Sequence, residues 1–167
     1  MVEEISIKDI RMLITPYPSF VFQSDNADHV AKTFISNPLH KSVYVVDKHL
    51  KLVGMITLRN LIKHEFKNLI PTEFESFRAL EFIGSKIAKD LMYPPIFVYD
   101  QDNLKTTFLK MYTNDLDQLP VVDKHKHLLG NIDLLELMTI LIEKKERNAN
   151  KDYLTLMVSR PFSRDYV

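Results

Sequence analysis

The sequence predicts an α/β fold of the α+β kind, in which two copies of one small unit pack as a pseudo-symmetric pair. The main observation is an internal repeat. Val45-Val46-Asp47-Lys48-His49 returns 76 positions later as Val121-Val122-Asp123-Lys124-His125, and Tyr17-Pro18 returns as Tyr93-Pro94. Each copy also alternates short β-branched runs with apolar residues at helical spacing. Two copies are too few for a solenoid, so we expect repeat one (about 17–62) to pack on repeat two (about 93–138) with clefts between them.

Each repeat is predicted to run strand, helix, strand, turn, strand, helix. In repeat one, helix-starting residues at 24–26 follow the first strand, and Asn37-Pro38 ends the helix that they begin. Thr57 opens the last helix. The three predicted strands of repeat one are 19–22, 42–46 and 52–56, and those of repeat two are 96–99, 119–122 and 128–132.

The helices of repeat two are predicted to begin at Asp102 or Asn103 and at Asp133. Apolar residues at helical spacing in both repeats are expected to lie in the core; they are Phe34, Ile35, Phe108 and Met111. We divide the chain into a first unit at 7–66, a helical linker at 67–85, a second unit at 86–145 and a tail at 146–167. The apolar run at 153–158 in the tail is predicted to be either a strand or a helix.

Composition narrows the class of protein. The chain has 167 residues, 46% of them hydrophobic and 26% charged, which is typical of a globular domain and not of a disordered segment. Lysine plus arginine and aspartate plus glutamate both number 22, so charge does not favour nucleic acid or an anionic membrane as the main partner. There is no cysteine, which excludes disulfides and thiolate chemistry. No apolar run approaches the roughly 18 residues of a membrane span, so we expect a soluble cytoplasmic protein without direct membrane insertion.

Several segments of the two repeats resemble the CBS motif, and the tandem resembles a Bateman module. The segments are 90–94 (Asp-Leu-Met-Tyr-Pro), 119–123 (Leu-Pro-Val-Val-Asp), 53–61 (Val-Gly-Met-Ile-Thr-Leu-Arg-Asn-Leu) and 129–137. The resemblance implies a β-α-β-β-α unit, two of which pack through their sheets. It also implies that the chain is not an enzyme, needs no cofactor, and forms a homodimer. Such modules bind adenosine-containing ligands and regulate an enzyme, channel or transporter.

The resemblance implies that a hydroxyl residue at the start of the last helix contacts phosphate and that an aspartate three residues later contacts ribose. Positions i and i+3 share a helix face, and a helix N-terminus favours anions. In repeat one these positions hold Thr57 and Asn60, with Arg59 beside them for phosphate. Tyr44 either stacks on an adenine or fills the cleft. The alternative is that Thr57 is only a helix N-cap. The other candidates for this first site are Ser19 and Phe20.

In repeat two the matching positions hold Asp133 and Glu136, which is the pattern of a capping box and needs no ligand. One carboxylate about 5 Å from a phosphate costs roughly 3 kcal/mol at an effective dielectric of 20. This second site, with Ile96 and Pro120 as further candidates, is therefore expected to bind an uncharged nucleoside-like group, a cation such as magnesium, or nothing. His49, His125 and His127 are interpreted as solvated turn residues rather than metal ligands.

Two functions follow from these patterns. The first is a regulatory module that senses AMP, ADP, ATP or an S-adenosylmethionine-like compound and controls a partner enzyme or transporter. The second is a ligand-free dimerisation or interaction scaffold whose nucleotide sites have decayed. Asn60, Asp133 and Glu136 favour the scaffold, since each departs from the implied binding residues.

Overall fold

A computed structural model describes residues 5–7, 18–65 and 87–158 of the chain, and it confirms two repeats of the same order. Repeat one contains β1 (Phe20–Phe22), α1 (Ala27–Ser36), β2 (Ser42–Val46), β3 (Leu52–Thr57) and α2 (Leu58–Glu65). A short helix, α3 (Ala88–Leu91), precedes repeat two. Repeat two contains β4 (Val98–Tyr99), α4 (Leu104–Thr113), β5 (Gln118–Val122), β6 (Leu128–Asp133) and α5 (Leu134–Val158).

Within the described residues the strands form two three-stranded sheets of identical topology. In each sheet the first strand is parallel to the second, and the third is antiparallel to it, in the orders β1-β2-β3 and β4-β5-β6. The central strands β2 and β5 are buried along their whole length. After the polar first residue, each strand is a run of four mainly apolar residues covered on both faces, which is why both strands were visible in the sequence.

The first helix of each repeat starts at an asparagine cap. The Asn26 side chain accepts a hydrogen bond from the backbone N–H of His29 at 2.8 Å, and Asn103 accepts one from Thr106 at 2.8 Å. Each asparagine thereby satisfies a donor that the helix itself leaves unpaired. The predicted end of the first helix is also observed, since Asn37 is the C-cap of α1.

Three buried clusters hold the molecule together. One lies between sheet and helices in repeat one and includes Val21, Val30 and Ile56. A second lies at the same place in repeat two and includes Met111 and Ile132. The third lies between the two sheets and consists of Tyr44, Leu52, Met55 and Val122. This third cluster contains residues of both repeats and confirms the predicted packing of one repeat on the other.

The segments that precede the two repeats are exchanged. Ile7, before repeat one, is fully buried in the core of repeat two, and its N–H donates to Asp102 O at 2.8 Å. Ala88 and Leu91, before repeat two, are buried in the core of repeat one, and the Ala88 N–H donates to Asp25 O at 2.7 Å. Each core is therefore completed by chain that belongs to the other repeat in sequence.

Some predictions about elements were wrong. The strand predicted at 96–99 is paired only at Val98–Tyr99. By the register of β4 and β5, Phe97 lies opposite Pro120, which has no N–H to donate, and the Phe97 carbonyl accepts from Lys110 Nζ at 2.9 Å instead. Ile35 is 77% exposed and Phe108 is 49% exposed, although Phe34 and Met111 are buried as predicted. One residue along a helix turns the side chain by about 100°, which carries Ile35 and Phe108 off the buried face.

The predicted helix in the linker lies outside the described residues. The tail run at 153–158 belongs to α5.

Candidate ligand clefts between the repeats

Polar contacts between equivalent positions mark the pseudo-twofold axis. Lys41 and Asp117, 76 positions apart, form an ion pair with Nζ and Oδ2 at 2.6 Å. Next to them the buried Gln118 side chain donates to Ser42 O at 3.0 Å, and its oxygen accepts from the Lys41 N–H at 3.3 Å. These contacts fix the starts of β2 and β5 against each other, and the last helix of each repeat begins beside them. We name cleft one after the start of α2 and cleft two after the start of α5.

Cleft one gathers polar groups at one end of the first sheet. Thr57 caps α2, with its hydroxyl accepting from the Asn60 N–H at 3.3 Å, and Ser42 pairs with Thr57 in the β2–β3 ladder. The Ser19 hydroxyl lies 2.6 Å from His40 Nδ1, and the Lys41 carbonyl accepts from the Leu58 N–H at 2.9 Å. The structure thus brings the predicted Ser19, Thr57 and Asn60 to one end of the sheet.

Phe20 supplies an aromatic edge to the same cleft. It is the registered neighbour of Tyr44 across the β1–β2 pair, so both side chains lie on the face that meets the other sheet. Phe20 remains 42% exposed and contacts Phe22 edge to face at 6.0 Å between ring centroids. An exposed ring beside a helix start is suited to contact a flat, apolar group such as a nucleobase. The predicted Arg59 side chain is exposed.

Cleft two has the opposite character at its helix start. Asp133 accepts from the Glu136 N–H at 2.7 Å, and Glu136 accepts from the Asp133 N–H at 2.8 Å. This is the reciprocal capping box that the sequence indicated, and it uses both carboxylates on the helix itself. The positions of repeat two that are equivalent to Lys41, Thr57 and Asn60 are all acidic; they are Asp117, Asp133 and Glu136. Cleft two is therefore unfavourable to an anion, whereas the start of α2 carries no carboxylate at the equivalent positions Thr57 and Asn60.

Tyr44 crosses from repeat one to repeat two. Its side chain is 1% exposed, and its hydroxyl donates a short hydrogen bond to Asn131 Oδ1. Burial raises the pKa of the Tyr44 hydroxyl well above its ordinary value; a hydrogen bond with Gln118 opposes the shift, and the negative charges of Glu136 and Asp133 add to it. The ring predicted for the first site thus reaches toward the residues of cleft two.

The remaining candidates of cleft two are apolar and well packed. Pro120 lies buried on β5 and is registered with Asn131 on β6. Ile96 packs against both the core of repeat two and the cluster between the sheets. The equivalent of Phe20 is Phe97, whose ring lies 5.6 Å from Lys126 Nζ, at a distance typical of a cation–π contact. The aromatic edge exposed in cleft one is thus partly covered in cleft two.

Sequence reasoning missed His40, Lys41, Asp117, Gln118 and Asn131. The repeat itself contained the signal for two of them, because Lys41 and Asp117 occupy equivalent positions next to the axis and carry opposite charges. No comparable signal marked Asn131, whose equivalent in repeat one is Met55. A contact that breaks the internal symmetry cannot be found by comparing the two repeats.

The two β-turns that precede β3 and β6 hold aspartates whose ionisation stabilises the fold. Desolvation opposes ionisation of Asp123, but hydrogen bonds from the His127 ring and from the backbone N–H groups of His127 and His125 outweigh it and lower the pKa of Asp123 to about 2. In the equivalent turn the pKa of Asp47 is lowered chiefly by the hydrogen bond from the Lys51 N–H.

Asp123→Asn is expected to reduce the sensitivity of folding to acid. Because the folded pKa lies below the unfolded value of about 3.9, the stability that ionised Asp123 contributes is present above about pH 4 and is lost as the pH falls toward 2. Urea midpoints measured from pH 5 to pH 2 should fall less steeply in the variant. Asp47→Asn is the matched control and should flatten the curve less, since His49 acts on Asp47 through its charge and not through a side-chain hydrogen bond. Identical slopes for wild type and Asp123→Asn would contradict the assignment.

Comparison with known proteins decides the family. Residues 5–67 and 88–143, which together make up most of the chain, match the family described as CBS domain. The chain belongs to the CBS domain family. Among curated relatives, protein SDS23 of Scheffersomyces stipitis is 25% identical over 158 residues, and protein SDS23 of Candida albicans is 24% identical over 159. The alignments cover 93% of this chain in both cases but only 29% and 24% of the relatives, so the chain spans about a quarter of their length.

Solved structures show the same CBS-pair fold. A CBS domain-containing protein of Thermotoga maritima is 25% identical and superimposes with a TM-score of 0.69, covering 84% of this chain and 96% of its own. CBSX2 of Arabidopsis thaliana, solved with AMP, is 22% identical with a TM-score of 0.66, covering 84% and 98%. The CBS domain pair of protein MJ0100, solved with 5′-methylthioadenosine and S-adenosyl-L-methionine, is 20% identical with a TM-score of 0.64, covering 84% and 98%.

Two searches of the described residues bear on other classes of site. Residues 5–7, 18–65 and 87–158 contain no helix with the combination of length and apolar character that spanning a bilayer requires. The same residues contain no group of three or more histidine, aspartate or glutamate side chains arranged to hold a metal ion. The rings of His125 and His127 are tilted, with centroids 6.1 Å apart, and the described part of the chain offers no third ligand beside them.

Proposed function

We propose that this CBS pair is a regulatory module, not an enzyme, that binds an adenosine-containing nucleotide in cleft one. The observation that carries the proposal is the charge contrast at equivalent positions of the two repeats. Lys41, Thr57 and Asn60 in cleft one have Asp117, Asp133 and Glu136 as their counterparts in cleft two. Asp133 and Glu136 repel a nucleotide phosphate, whereas the neutral Thr57 and Asn60 do not, so the two clefts differ in the ligands that they accept.

We propose a role for each group of cleft one. The positive end of α2 and the Thr57 hydroxyl lie where a phosphate would be stabilised, and Lys41 and Arg59 add positive charge. The Asn60 amide oxygen accepts hydrogen bonds from ribose hydroxyls without the charge assistance that aspartate would give. Phe20 contacts the base. The adenosine compounds bound to CBSX2 and MJ0100 support this ligand class.

Regulation then requires that the ligand favour one arrangement of the repeats over another. Lys41 would connect ligand binding to this change. Its ion pair with Asp117 joins the two repeats, and the Lys41 side chain is 67% exposed and so accessible to a ligand. A phosphate that draws Lys41 away from Asp117 loosens the axis between the sheets. We propose that a separate enzyme or transporter detects this change, and that the module acts in the cytoplasm.

Ligand binding is testable by thermal unfolding with AMP, ADP, ATP, NAD and S-adenosylmethionine. A nucleotide at about 100 times its dissociation constant adds about 2.7 kcal/mol, which corresponds to about 5–10 °C for a chain of this size. Thr57→Val combined with Asn60→Ala should abolish the rise. Thr139→Val, which removes an exposed hydroxyl bonded to Leu135 O on α5, should leave it unchanged. A rise that survives in the double variant would show that cleft one is not the site.

A second candidate function, a dimerisation scaffold, is favoured by the outer helix faces. Exposed apolar side chains line α2 and the first part of α5; they are Leu58, Ile62, Leu134, Leu135, Met138, Leu141 and Ile142. Exposed apolar side chains clustered at helical spacing, as on α5, are often covered by another protein surface. We propose that a second copy of the chain covers them.

The dimer is expected to separate when a charge enters this face. Leu135, 75% exposed, is replaced by aspartate, and sedimentation velocity is measured over a range of concentrations. Wild type should sediment as a dimer and Leu135→Asp as a folded monomer, while Lys105→Asp on the exposed side of α4 should remain dimeric. A monomeric wild type at all concentrations excludes the second copy as the occupant. Dimerisation without any nucleotide-induced rise in melting temperature favours the scaffold over the sensor.

A further inference from the structure

The pseudo-twofold axis brings two equivalent turns together at the ends of the central strands that lie away from the clefts. One turn follows β2 and the other follows β5. Lys51 and His127, 76 positions apart, form an isolated antiparallel bridge, and the Leu52 N–H donates to Lys126 O at 2.9 Å. The two turns therefore lie side by side across the axis. We name them the axial turns; they are residues 47–51 and 123–127.

The axial turns carry a local excess of basic residues. Their ten residues include four lysines and three histidines against two aspartates, in a chain whose basic and acidic totals are equal. The basic side chains are exposed except for the half-buried His127; they are Lys48, His49, Lys51, Lys124, His125, Lys126 and His127. Because the equivalent turns meet on the axis, the basic residues of both repeats contribute to one surface.

The aspartates of the axial turns are bonded within the turns and do not pair with the lysines. Asp47 accepts from two backbone N–H groups of its own turn, at 2.8 and 3.0 Å. Asp123 accepts from two at 2.8 Å each and pairs with the His127 ring at 3.0 Å. Asp100, whose N–H donates to Val122 O beside the second turn, is half-buried. Within the described part of the chain no ion pair includes any of the four lysines, so their charges are available to an anionic partner.

Leu50 adds an apolar side chain to this basic surface. It is 50% exposed, and its backbone is left-handed with φ of 60°. Its equivalent Lys126 has φ of 67°. Glycine or asparagine suits this conformation better, so the geometry of the turns does not explain a leucine or a lysine there. A partner that contacts Leu50 as well as the lysines offers apolar groups beside its negative charges, as a peptide does and a free polyphosphate does not.

We propose that the axial turns are a docking surface for an acidic segment of a partner protein, in which aspartate, glutamate or phosphoserine accompanies an apolar residue. Complementary charge orients such a segment and speeds its association. An anionic bilayer fits less well, because Leu50 is the one apolar residue that these turns would insert, and stable membrane binding needs a larger apolar area beside the basic residues.

The docking surface lies where it can respond to the clefts. The central strands β2 and β5 are buried along their whole length and run from the ion pair of Lys41 and Asp117 to the axial turns. A nucleotide in cleft one and a partner at the turns occupy opposite ends of these strands and do not compete for the same residues. A response of docking to a nucleotide rests on the function proposed above, whereas the docking itself does not.

The test measures fluorescence anisotropy of a labelled peptide that is rich in glutamate and contains one leucine. Wild type should bind it. Lys48→Glu combined with Lys124→Glu should weaken binding at least about tenfold, because each change replaces an attraction with a repulsion. Lys32→Glu combined with Lys105→Glu alters the net charge equally at exposed positions of α1 and α4. This control should bind within about twofold of wild type, since solvent and salt screen distant exposed charges.

Leu50→Gly separates a peptide from other anionic occupants. Glycine suits the left-handed backbone of this position, so the variant keeps the fold. It should bind the peptide less tightly and bind tripolyphosphate as wild type does. Equal peptide affinity in wild type and Leu50→Gly overturns the inference in favour of a free anion. Tighter binding to vesicles of phosphatidylserine and phosphatidylcholine than to the peptide overturns it in favour of a membrane.

The outcomes for docking and for nucleotide sensing are distinguishable. Undiminished peptide binding by the Lys48 and Lys124 variant, or no binding by wild type, overturns the docking surface and leaves the nucleotide site untouched. If that variant does not fold, Lys48→Gln combined with Lys124→Gln removes the same charges without adding repulsion and decides in its place. Peptide binding by a wild type that no nucleotide stabilises removes the function proposed for cleft one and leaves the docking surface standing.

Discussion

Replacement of Ile7 by alanine is expected to lower the free energy of unfolding by about 2–5 kcal/mol, the usual range for truncating a fully buried isoleucine. The side chain is 0% exposed and packs among Val98, Leu104 and Met111. These residues belong to repeat two, although Ile7 precedes repeat one in the chain. The effect is large because the backbone around Ile7 is held by the hydrogen bond to Asp102 O, so the core of repeat two cannot easily collapse into the cavity.

Urea denaturation followed by circular dichroism measures the loss. Ile35→Ala, on the exposed side of α1, is the matched control and should change stability by no more than about 0.5 kcal/mol. Amide hydrogen exchange tests where the stability is lost. Because Ile7 packs in the core of repeat two, Ile7→Ala should reduce amide protection more in β5 and β6 than in β2 and β3. A loss below about 1 kcal/mol, or one confined to the amides of repeat one, would mean that Ile7 does not complete the core of repeat two.

Local chemistry explains why much of the fold was predictable. The β2 strand was predicted at its observed limits because Ser42–Val46 is a β-branched run between turn residues. Asn26 and Asn103 are helix caps as residue type and position indicated. The capping box of Asp133 and Glu136 follows from two carboxylates at the required spacing. Each of these features depends on residues within a few positions of one another, so the information is contiguous in the sequence.

Features that depend on distant residues and break the internal repeat were not predictable. Nothing local to Ile7 indicates which of two similar cores it enters. Tyr44 and Asn131 are 87 positions apart, and the internal repeat pairs them with residues that make no such contact. The sequence posed two alternatives for Tyr44, stacking on a ligand or filling a cleft. The structure adds a third arrangement, in which the ring leaves its own repeat and is bonded to the other.

The difference between the clefts also limits what the CBS fold implies. Two repeats of one fold give two helix starts between the sheets, and the fold alone assigns them the same role. In this chain Lys41 is opposite Asp117, and the residues at the two helix starts differ in charge as well. Ligand preference therefore depends on a few substituted positions within a symmetric framework, which is why function needs the residues of the site and not only the fold.

Gly54→Ala is expected to lower the free energy of unfolding by about 1–3 kcal/mol, the usual cost of overpacking a filled interior. A Cβ on Gly54 would collide with the Met92 side chain, coming within 2.8 Å of its Cβ and 2.7 Å of its Cγ. Met92 cannot withdraw freely. It follows α3, its N–H donates to Ala88 O at 3.0 Å, and the adjacent Tyr93 exchanges two backbone hydrogen bonds with Met55 on β3, at 2.9 and 3.1 Å.

A double-mutant cycle isolates this contact. Met92→Gly removes the colliding atoms, so Gly54→Ala should lose much less stability in that background than in wild type, and the coupling energy should account for most of the single-variant loss. Urea denaturation of all four proteins provides the energies. The bridge between Met55 and Tyr93 joins β3 of repeat one to the segment that leads into repeat two, so the glycine permits a contact between repeats and not only within one. Equal losses in the two backgrounds would show that Gly54 is required for some reason other than the approach of Met92.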